Sequence, residues 1–556
     1  MIVLRRSLAF STNFYIFNKA IDCFIMQKRV LLFLFIFNAV YFFGQVPGEW
    51  VWKSGSSIIN YTGSFGTKGV PSSANKPPAM YEACEWTDNQ GDFWLFGGTN
   101  NVTGFLSDLW KYDPVSNQWT WMFGPGVSSP QAAIYGITGV PGVNNTPGMR
   151  TACYSWKDNQ GNLWLFGGYS LDTVSGGGQR FNDLWKYDIT LNQWTFMKGD
   201  KGPGAVGYYG SKGIEDPLNR PPSIEEMGIA WTSNDGNLWL LSDRGCLWRY
   251  NILTNNWTWM KGDGTSSIPT PVYGIKGVPD VNNTPGWTLF DYTRWKDSQG
   301  NFWYYYSRAS NLKVLWKYEP GTNMWTWMHG DTTYAGGYDY GIKCTESENE
   351  PMPHLEARAC WTDACDNLWM MGGDGSNGMT SLLLNDLIYF DTQNLQWVWA
   401  DNLFTQVATS NFGTLGVSNS SNLPASRDGA MPFKDLQGNL WLYGGGNYNT
   451  DMFADLWMYT IDTSCTKCYL TAGINENTNS NIVSVYPNPS NGSFTFSGLK
   501  ENSKIEIYDV IGRVIFSTVS SEEKKSIDIS SYPKGIYFYQ IIDKKNRVSQ
   551  GKIFLQ

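Results

Sequence analysis

Charge and histidine are what this sequence has least of. Asp, Glu, Lys and Arg make up 16% of its 556 residues, and the only histidines are His329 and His354. The formal net charge is −8. The first 45 residues carry five basic and one acidic side chain, and the last 74 carry ten and seven, so the middle stands near −15. An acidic middle without interleaved basic and aromatic residues argues against a nucleic-acid partner. Long helices are excluded too, because Gly, Pro and Asn interrupt nearly every stretch. Nine cysteines in a chain of this length are too sparse for a dense disulfide framework. Cys84, Cys153 and Cys360 fall in apolar strand patterns and are expected as small buried residues. Cys465 and Cys468 form a CxxC with no further zinc ligands nearby, so a local disulfide or two free thiols is expected there.

The apolar run from Val30 to Phe43 is too short to span a bilayer comfortably. Lys28 and Arg29 precede it, and Gly44 and Gln45 follow. A basic start, a short apolar core and small residues at the end describe a secretory signal peptide over residues 1–45. Met26 is expected to be the true start, and removal of the segment is expected to leave no transmembrane helix.

What is abundant is glycine and the aromatics, with 59 Gly, 28 Trp, 31 Tyr and 29 Phe. They are organised. "GDFWLFGG" ends at Gly98, and relatives of it recur around Trp164, Trp239, Trp303, Trp369 and Trp441. The spacings between these tryptophans are 70, 75, 64, 66 and 72. Each is followed by an element such as "SDLWKYDP" from Ser107, and then by an aromatic pair such as Trp119 and Trp121. An aromatic also stands eight residues before each marker, as Trp86 does before Trp94. Residues two apart share one face of a strand. Six units of four short antiparallel strands are therefore predicted, with tight Gly-containing turns between them. The sixth unit ends at "LWMYTID" without an aromatic pair, and the missing pair stands at the other end as Trp50 and Trp52. The N-terminal strand is thus expected to complete the last unit and close a ring.

The order of a double glycine, Leu-Trp-x-Tyr and a Trp after a short Asn-containing turn resembles Kelch repeats. The resemblance covers roughly residues 49–462 and implies an all-β, six-bladed propeller, here placed at residues 46–465. The sequence departs from the family in its long period, in Ser242-Asp243 and Tyr306-Ser307 where other units have Gly-Gly, and in an added link such as "YGIKGVPDVNNTPG" from Tyr273.

After a polar linker at 466–482 the pattern changes to alternating strands split by turns, and a small β-sandwich is expected over residues 483–556. Tyr486-Pro487-Asn488-Pro489, Gly512-Arg513 and the Gly535-Ile536-Tyr537 block closely resemble the C-terminal sorting domain of type IX secretion substrates. That resemblance implies the type IX machinery as a partner and a secreted or cell-surface location.

Some Kelch-like propellers are copper oxidases. Two histidines in separate loops do not supply such a site and are expected at the surface, so no metal or cofactor is predicted. No Ser-centred elbow, HExxH, phosphate loop or calcium loop is visible, and no catalytic residue is assigned. The adjacent acids Glu225 and Glu226 would point to opposite faces of one strand and do not make a carboxylate pair by themselves. The recurring tryptophans hold a strict strand register and read as core. Strand direction places the second link of each unit and the link between units on one face of the disc. That face is the expected binding surface, with Asn100, Tyr169, Arg180, Asp243, Arg244, Asp374 and Tyr448 as candidates. The expected function is non-catalytic binding of a glycan or protein. The alternatives are a carbohydrate-active enzyme, which a ring of Asp and Glu at the blade centre would support, and a structural surface protein.

Overall fold

The computed structural model describes residues 45–126, 131–171, 177–224, 229–242, 244–264, 270–286, 292–307, 313–332, 338–347, 350–376, 381–401, 409–447, 450–466, 484–509, 513–543 and 548–556. The signal segment before residue 45 and all but the first residue of the 466–482 linker lie outside these residues. Two compact units are present, divided after Cys468.

In the first unit, blade 1 consists of Cys84–Thr87, Phe93–Phe96, Leu109–Asp113 and Gln118–Phe123, paired antiparallel in that order. Blades 2 to 5 repeat the plan, with inner strands Tyr154–Lys157, Ile229–Thr232, Arg294–Lys296 and Ala359–Thr362. Blade 6 has Met431–Lys434, Leu440–Tyr443 and Ala454–Tyr459, and its fourth strand is the N-terminal Trp50–Ser56. Trp50 lies opposite Tyr459, and Trp52 opposite Trp457. Each inner strand packs against those of its two neighbours, from blade 1 round to blade 6 and back, so the ring is closed.

The repeated residues have repeated jobs. The marker tryptophan of every unit donates its indole N–H to the side chain six residues earlier in the tight turn, as Trp94 does to Asp88 at 2.8 Å and Trp441 to Asp435 at 2.8 Å. Ser233 takes the Asp role for Trp239. Inner-strand tryptophans tie blades together, for example Trp86 to the Trp164 carbonyl and Trp361 to that of Phe433. The markers are buried, so the aromatic repeat is core.

The link between blades does more than cross the face. In every blade it runs down the rim and lies along the outer strand as a partial fifth strand, in blade 5 through Glu346 and Ser347 opposite Val398 and Trp397, and in blades 1, 2, 3, 4 and 6 it is fastened by one side chain. An asparagine clamps it there. Asn75, Asn145, Asn219, Asn283 and Asn422 each donate to the outer-strand carbonyl of Trp119, Trp194, Trp257, Trp325 or Trp50 at 2.9–3.1 Å. Each also donates to the carbonyl five residues earlier, closing its own loop. Much of the between-unit link is therefore at the rim and not on the face, because an outer strand left bare would expose a row of unpaired backbone groups. In blade 5 Glu350 stands in the asparagine position, and Cys344 in the loop is joined to Cys465 instead. The expectation of a local Cys465–Cys468 disulfide, or of free thiols there, is thus corrected: Cys465 pairs across 121 residues. Cys365 is also disulfide-bonded, while Cys84, Cys153 and Cys360 are free thiols, with Cys360 less fully buried than the other two.

The second unit is a β-sandwich. Ser484–Tyr486, Ser493–Ser497 and Lys524–Asp528 form one sheet; Val514–Ser520, Ser503–Tyr508, Gly535–Ile542 and Val548–Leu555 form the other. Phe494, Phe496, Ile505, Ile507, Ile527 and Ile553 fill the space between them.

Candidate functional site

Inner strands run from the long-link face, at their N-terminal ends, to the short-turn face. Just before the inner strands of blades 1, 2, 5 and 6 the chain turns through a left-handed residue, with φ of 51° at Glu82, 54° at Ala152, 55° at Glu356 and 58° at Gly429. These residues link successive blades: Ala152 N–H donates to the Glu82 carbonyl, Glu82 to Gly429, and Gly429 to Glu356. A left-handed glutamate is strained by about 1 kcal/mol or more, and such strain gathers at functional sites.

Around this collar stand Tyr81, Glu82, Glu356, Asp374 and Asp428, from blades 1, 5 and 6. The Tyr81 hydroxyl donates to Glu356 Oε2 at 2.7 Å. Leu355 and Asp374 exchange backbone hydrogen bonds, which carries Asp374 from the second link of blade 5 to the collar. Asp428 is 8% exposed, and its Oδ1 has no hydrogen-bond partner among the described residues. Burial, then the charges of Glu356 and Asp374, hold its carboxyl well above the ordinary range. Burial also raises Glu356, opposed by the Tyr81 hydrogen bond. Tyr81 is raised by burial and by Asp428, Glu82 and Glu356. The mouth therefore presents carboxyls that keep a proton more readily than usual beside a phenol that does not ionise.

Below the collar the channel is crossed by ions. Glu85 of blade 1 accepts from Arg358 of blade 5 at 2.8 Å and from Arg294 of the opposite blade 4 at 3.0 Å. Arg358 is 3% exposed and Glu85 8%. This bridge separates an acidic mouth above from a second mouth below.

The sequence-derived candidates divide. Asp374 reaches the acidic collar. Tyr169 and Arg180 face each other across a two-stranded hairpin, and the Tyr169 ring packs 5.7 Å from Phe105. Asn100 is 2% exposed, with its amide committed to the Ala79 carbonyl and its Oδ1 to the amides of Val102 and Thr103. Arg244 is exposed on a tight turn from Leu241 to Leu247, a second link that is short where a long one was expected. Asp243, Tyr448, Glu225, Glu226 and Gly512 lie outside the described residues. The histidines are corrected. His354 is fully buried, its Nδ1 2.7 Å from the Gly372 carbonyl and its Nε2 3.3 Å from Asp386. His329 sits on a strand with Nδ1 2.7 Å from Glu350. Glu82, Glu356 and Asp428 were missed. No repeat motif marks them, and a charged residue at a left-handed position is invisible until the backbone is seen.

In the second unit Tyr486 is 45% exposed, Pro487, Asn488 and Pro489 form the turn that follows, and Arg513 pairs with Asp509 at 2.8 Å. Gly535 opens a strand on which Tyr537 is buried, its hydroxyl on the Pro533 carbonyl.

The secretion system C-terminal sorting domain family matches residues 484–556, and the Kelch motif matches residues 90–120. Multiple epidermal growth factor-like domains protein 8 of Homo sapiens is 28% identical over 193 residues, which are 33% of this chain and 5% of that protein. Its Rattus norvegicus counterpart is 25% identical over 193 residues, 33% of this chain and 6% of that protein. The chain thus spans 5–6% of the length of these curated relatives. Among solved structures, that of YjhT shares 14% identity at a TM-score of 0.40, covering 72% of this chain and 97% of that one. A fungal alcohol oxidase of the AA5 family, in complex with copper, shares 11% at 0.35, covering 89% and 100%.

Proposed function

Taking as premise that this chain is a Kelch-repeat propeller exported through type IX secretion by its C-terminal sorting domain, we propose that it works at the cell surface or outside as a binding protein for hydroxyl-rich glycans, held at the acidic mouth. The observation that carries this is the convergence of Tyr81, Glu82, Glu356, Asp374 and Asp428 on one collar. Carboxylates accept from pairs of sugar hydroxyls, and protonated carboxyls and phenols donate to them. Glu356 and Asp428, both raised by burial, are carboxyls suited to either role.

The test is a broad glycan array probed with the exported protein and with Glu356→Gln and Asp374→Asn. Binding that both variants lose supports the reading. Binding to no sugar sinks it and points to a protein ligand. A carboxyl raised by burial and by neighbouring carboxyls also fits glycoside cleavage. The bound glycans are therefore checked for shortened products, and products that Asp428→Asn abolishes would favour an enzyme.

A further inference from the structure

The other mouth of the channel is built differently. The last residue of each inner strand, taken round the ring, is Thr87, Lys157, Thr232, Lys296, Thr362 and Lys434. Lysine and threonine alternate, so the three lysines stand on alternate blades around the channel axis. A cavity of about 390 Å³ opens here, lined by Thr87, Thr232, Lys296, Thr362 and Lys434 among others, with Arg294 of the cross-channel bridge in its wall; Lys157 is outside that lining but near enough to act on the charge of Lys296. The ring is braced. Lys296 donates to the Thr232 carbonyl at 2.9 Å and to Asn234 Oδ1 at 3.3 Å, Lys434 donates to the Thr362 carbonyl at 2.6 Å, and Thr232 donates to the Lys157 carbonyl at 3.1 Å.

An ammonium has three N–H donors. Lys296 spends two, Lys434 one, and Lys157 makes no side-chain hydrogen bond among the described residues. Burial holds all three amines below the usual lysine range, and Lys157 and Lys296 repel each other. The nearby acids are the turn aspartates. Asp88, Asp158, Asp297, Asp363 and Asp435 are committed to the marker tryptophans and their own turn amides, and Asp366 to Ser298. Half-buried ammonium groups, two of which repel each other and all with donors to spare, call for a shared anion. Threonine hydroxyls at the three intervening positions supply neutral donors.

We propose that this lysine–threonine mouth is a binding site for a tetrahedral oxyanion, a phosphate or sulfate group. A tetrahedral anion turned along the axis presents three oxygens at the angular spacing of the three lysines. The site is separate from the acidic mouth, on the far side of the Arg294–Glu85–Arg358 bridge, and does not depend on the glycan reading. The group belongs either to a free ion or to a sulfated or phosphorylated saccharide.

Isothermal titration at low ionic strength decides, with inorganic phosphate, inorganic sulfate and a sulfated tetrasaccharide each run into the full exported chain, and unsulfated tetrasaccharide as the control. Saturable binding of the inorganic ions is expected, weakened roughly tenfold by Lys157→Gln, the worth of one charge-assisted hydrogen bond, and largely kept by Lys157→Arg. Tighter binding of the sulfated saccharide than of sulfate would identify the saccharide as the source; equal binding would identify the free ion. Because Lys157 braces no neighbouring blade through its side chain, its variants test the site without threatening the fold. Lys434→Met gives a second reading, with its melting profile checked first. No saturable binding of any of the anions, or equal binding in the wild type and Lys157→Gln, would overturn the proposal.

Discussion

At the scale of the residue, the same aspartate meets different fates in different blades. The Asp of the Asp-Leu-Trp element, Asp-Leu-Ile in blade 5, stands at or near the start of the paired part of the third strand as Asp108, Asp183, Asp386 and Asp455. Asp183 pairs with buried Arg150 at 2.8 Å, Asp455 with buried Arg427 at 2.7 Å, and Asp386 with His354 at 3.3 Å. Among the described residues no cation pairs directly with Asp108, and Lys68 acts on it only at a distance. Asp108 instead accepts from Trp121 Nε1 and the Gly126 amide, and burial pushes its carboxyl up to about 6. A carboxyl raised on folding binds its proton more tightly in the folded chain. Its contribution is therefore full below the unfolded pKa near 4 and is lost as pH rises through about 6. Raising the carboxyl from near 4 to about 6 corresponds to roughly 3 kcal/mol. Asp108→Asn keeps both acceptor bonds and removes the charge. Urea unfolding is expected to show the variant more stable than the wild type at pH 7.5, by roughly 1–3 kcal/mol, with the gap closing by pH 4. A gap that does not change with pH would refute this. The aspartates were legible in the repeat. Their partners were not, because Arg150, His354 and Arg427 come from the variable link and contact arises only once the chain returns from the rim.

At the scale of the element, the rim loop explains why the period exceeds that of ordinary Kelch units. The extra residues cover the outer edge of the blade. The sequence displayed this loop as a recurring Tyr/Phe-Gly…Asn-x-Pro string, yet its position on the rim was hidden, since the bonds that place it run to strands 38–49 residues away, and in blade 6 to one 372 residues away. The loop glycine is part of the clamp. Gly274 has φ of +64°, and a Cβ there would lie 2.4 Å from Asn283 Oδ1. Gly274→Ala is expected to cost about 1–3 kcal/mol, and Asn283→Ala about the same. The double variant should cost little more than either alone, because both break one clamp; simple additivity in denaturant titrations would count against a shared role. In blade 5 the Cys344–Cys465 bond does the asparagine's work, fastening the loop to the single helical turn Thr463–Thr466. Replacing both cysteines by serine is expected to lower stability by roughly 2–4 kcal/mol. Amide exchange should open first in residues 340–347 and 396–401, and uniform opening across the blades would argue that the bond constrains only the unfolded chain.

At the scale of the molecule, the channel is polarised along its axis, with carboxyls at the long-link mouth, a buried ionic bridge at mid-depth and lysines at the short-turn mouth. None of the three layers lies within one repeat. Each is assembled from three or more blades, at positions that the repeat leaves free to vary, which is why six blades were legible in the sequence and the site was not. The polarity requires a closed ring, and closure rests on Trp50–Ser56. Its Trp50 ring packs 5.1 Å from Tyr459, and its backbone carries the clamp of Asn422. Without this strand, Ala454–Tyr459 becomes a bare edge with Trp457 and Tyr459 uncovered, a surface that invites aggregation. Contact, not connectivity, should decide. Because Trp50 already lies opposite Tyr459, a chain in which residues 50–56 are moved to follow Tyr459 through a short turn keeps every pairing of blade 6. Calorimetry of the propeller unit is expected to show this permutant melting within a few degrees of the parent, at most the ~1 kcal/mol that a changed loop costs. A unit lacking residues 46–56 is expected to lose the cooperative transition or aggregate. A deletion that melts like the parent would mean that the inner strands hold the ring unaided and that the closing strand serves only to cover an edge.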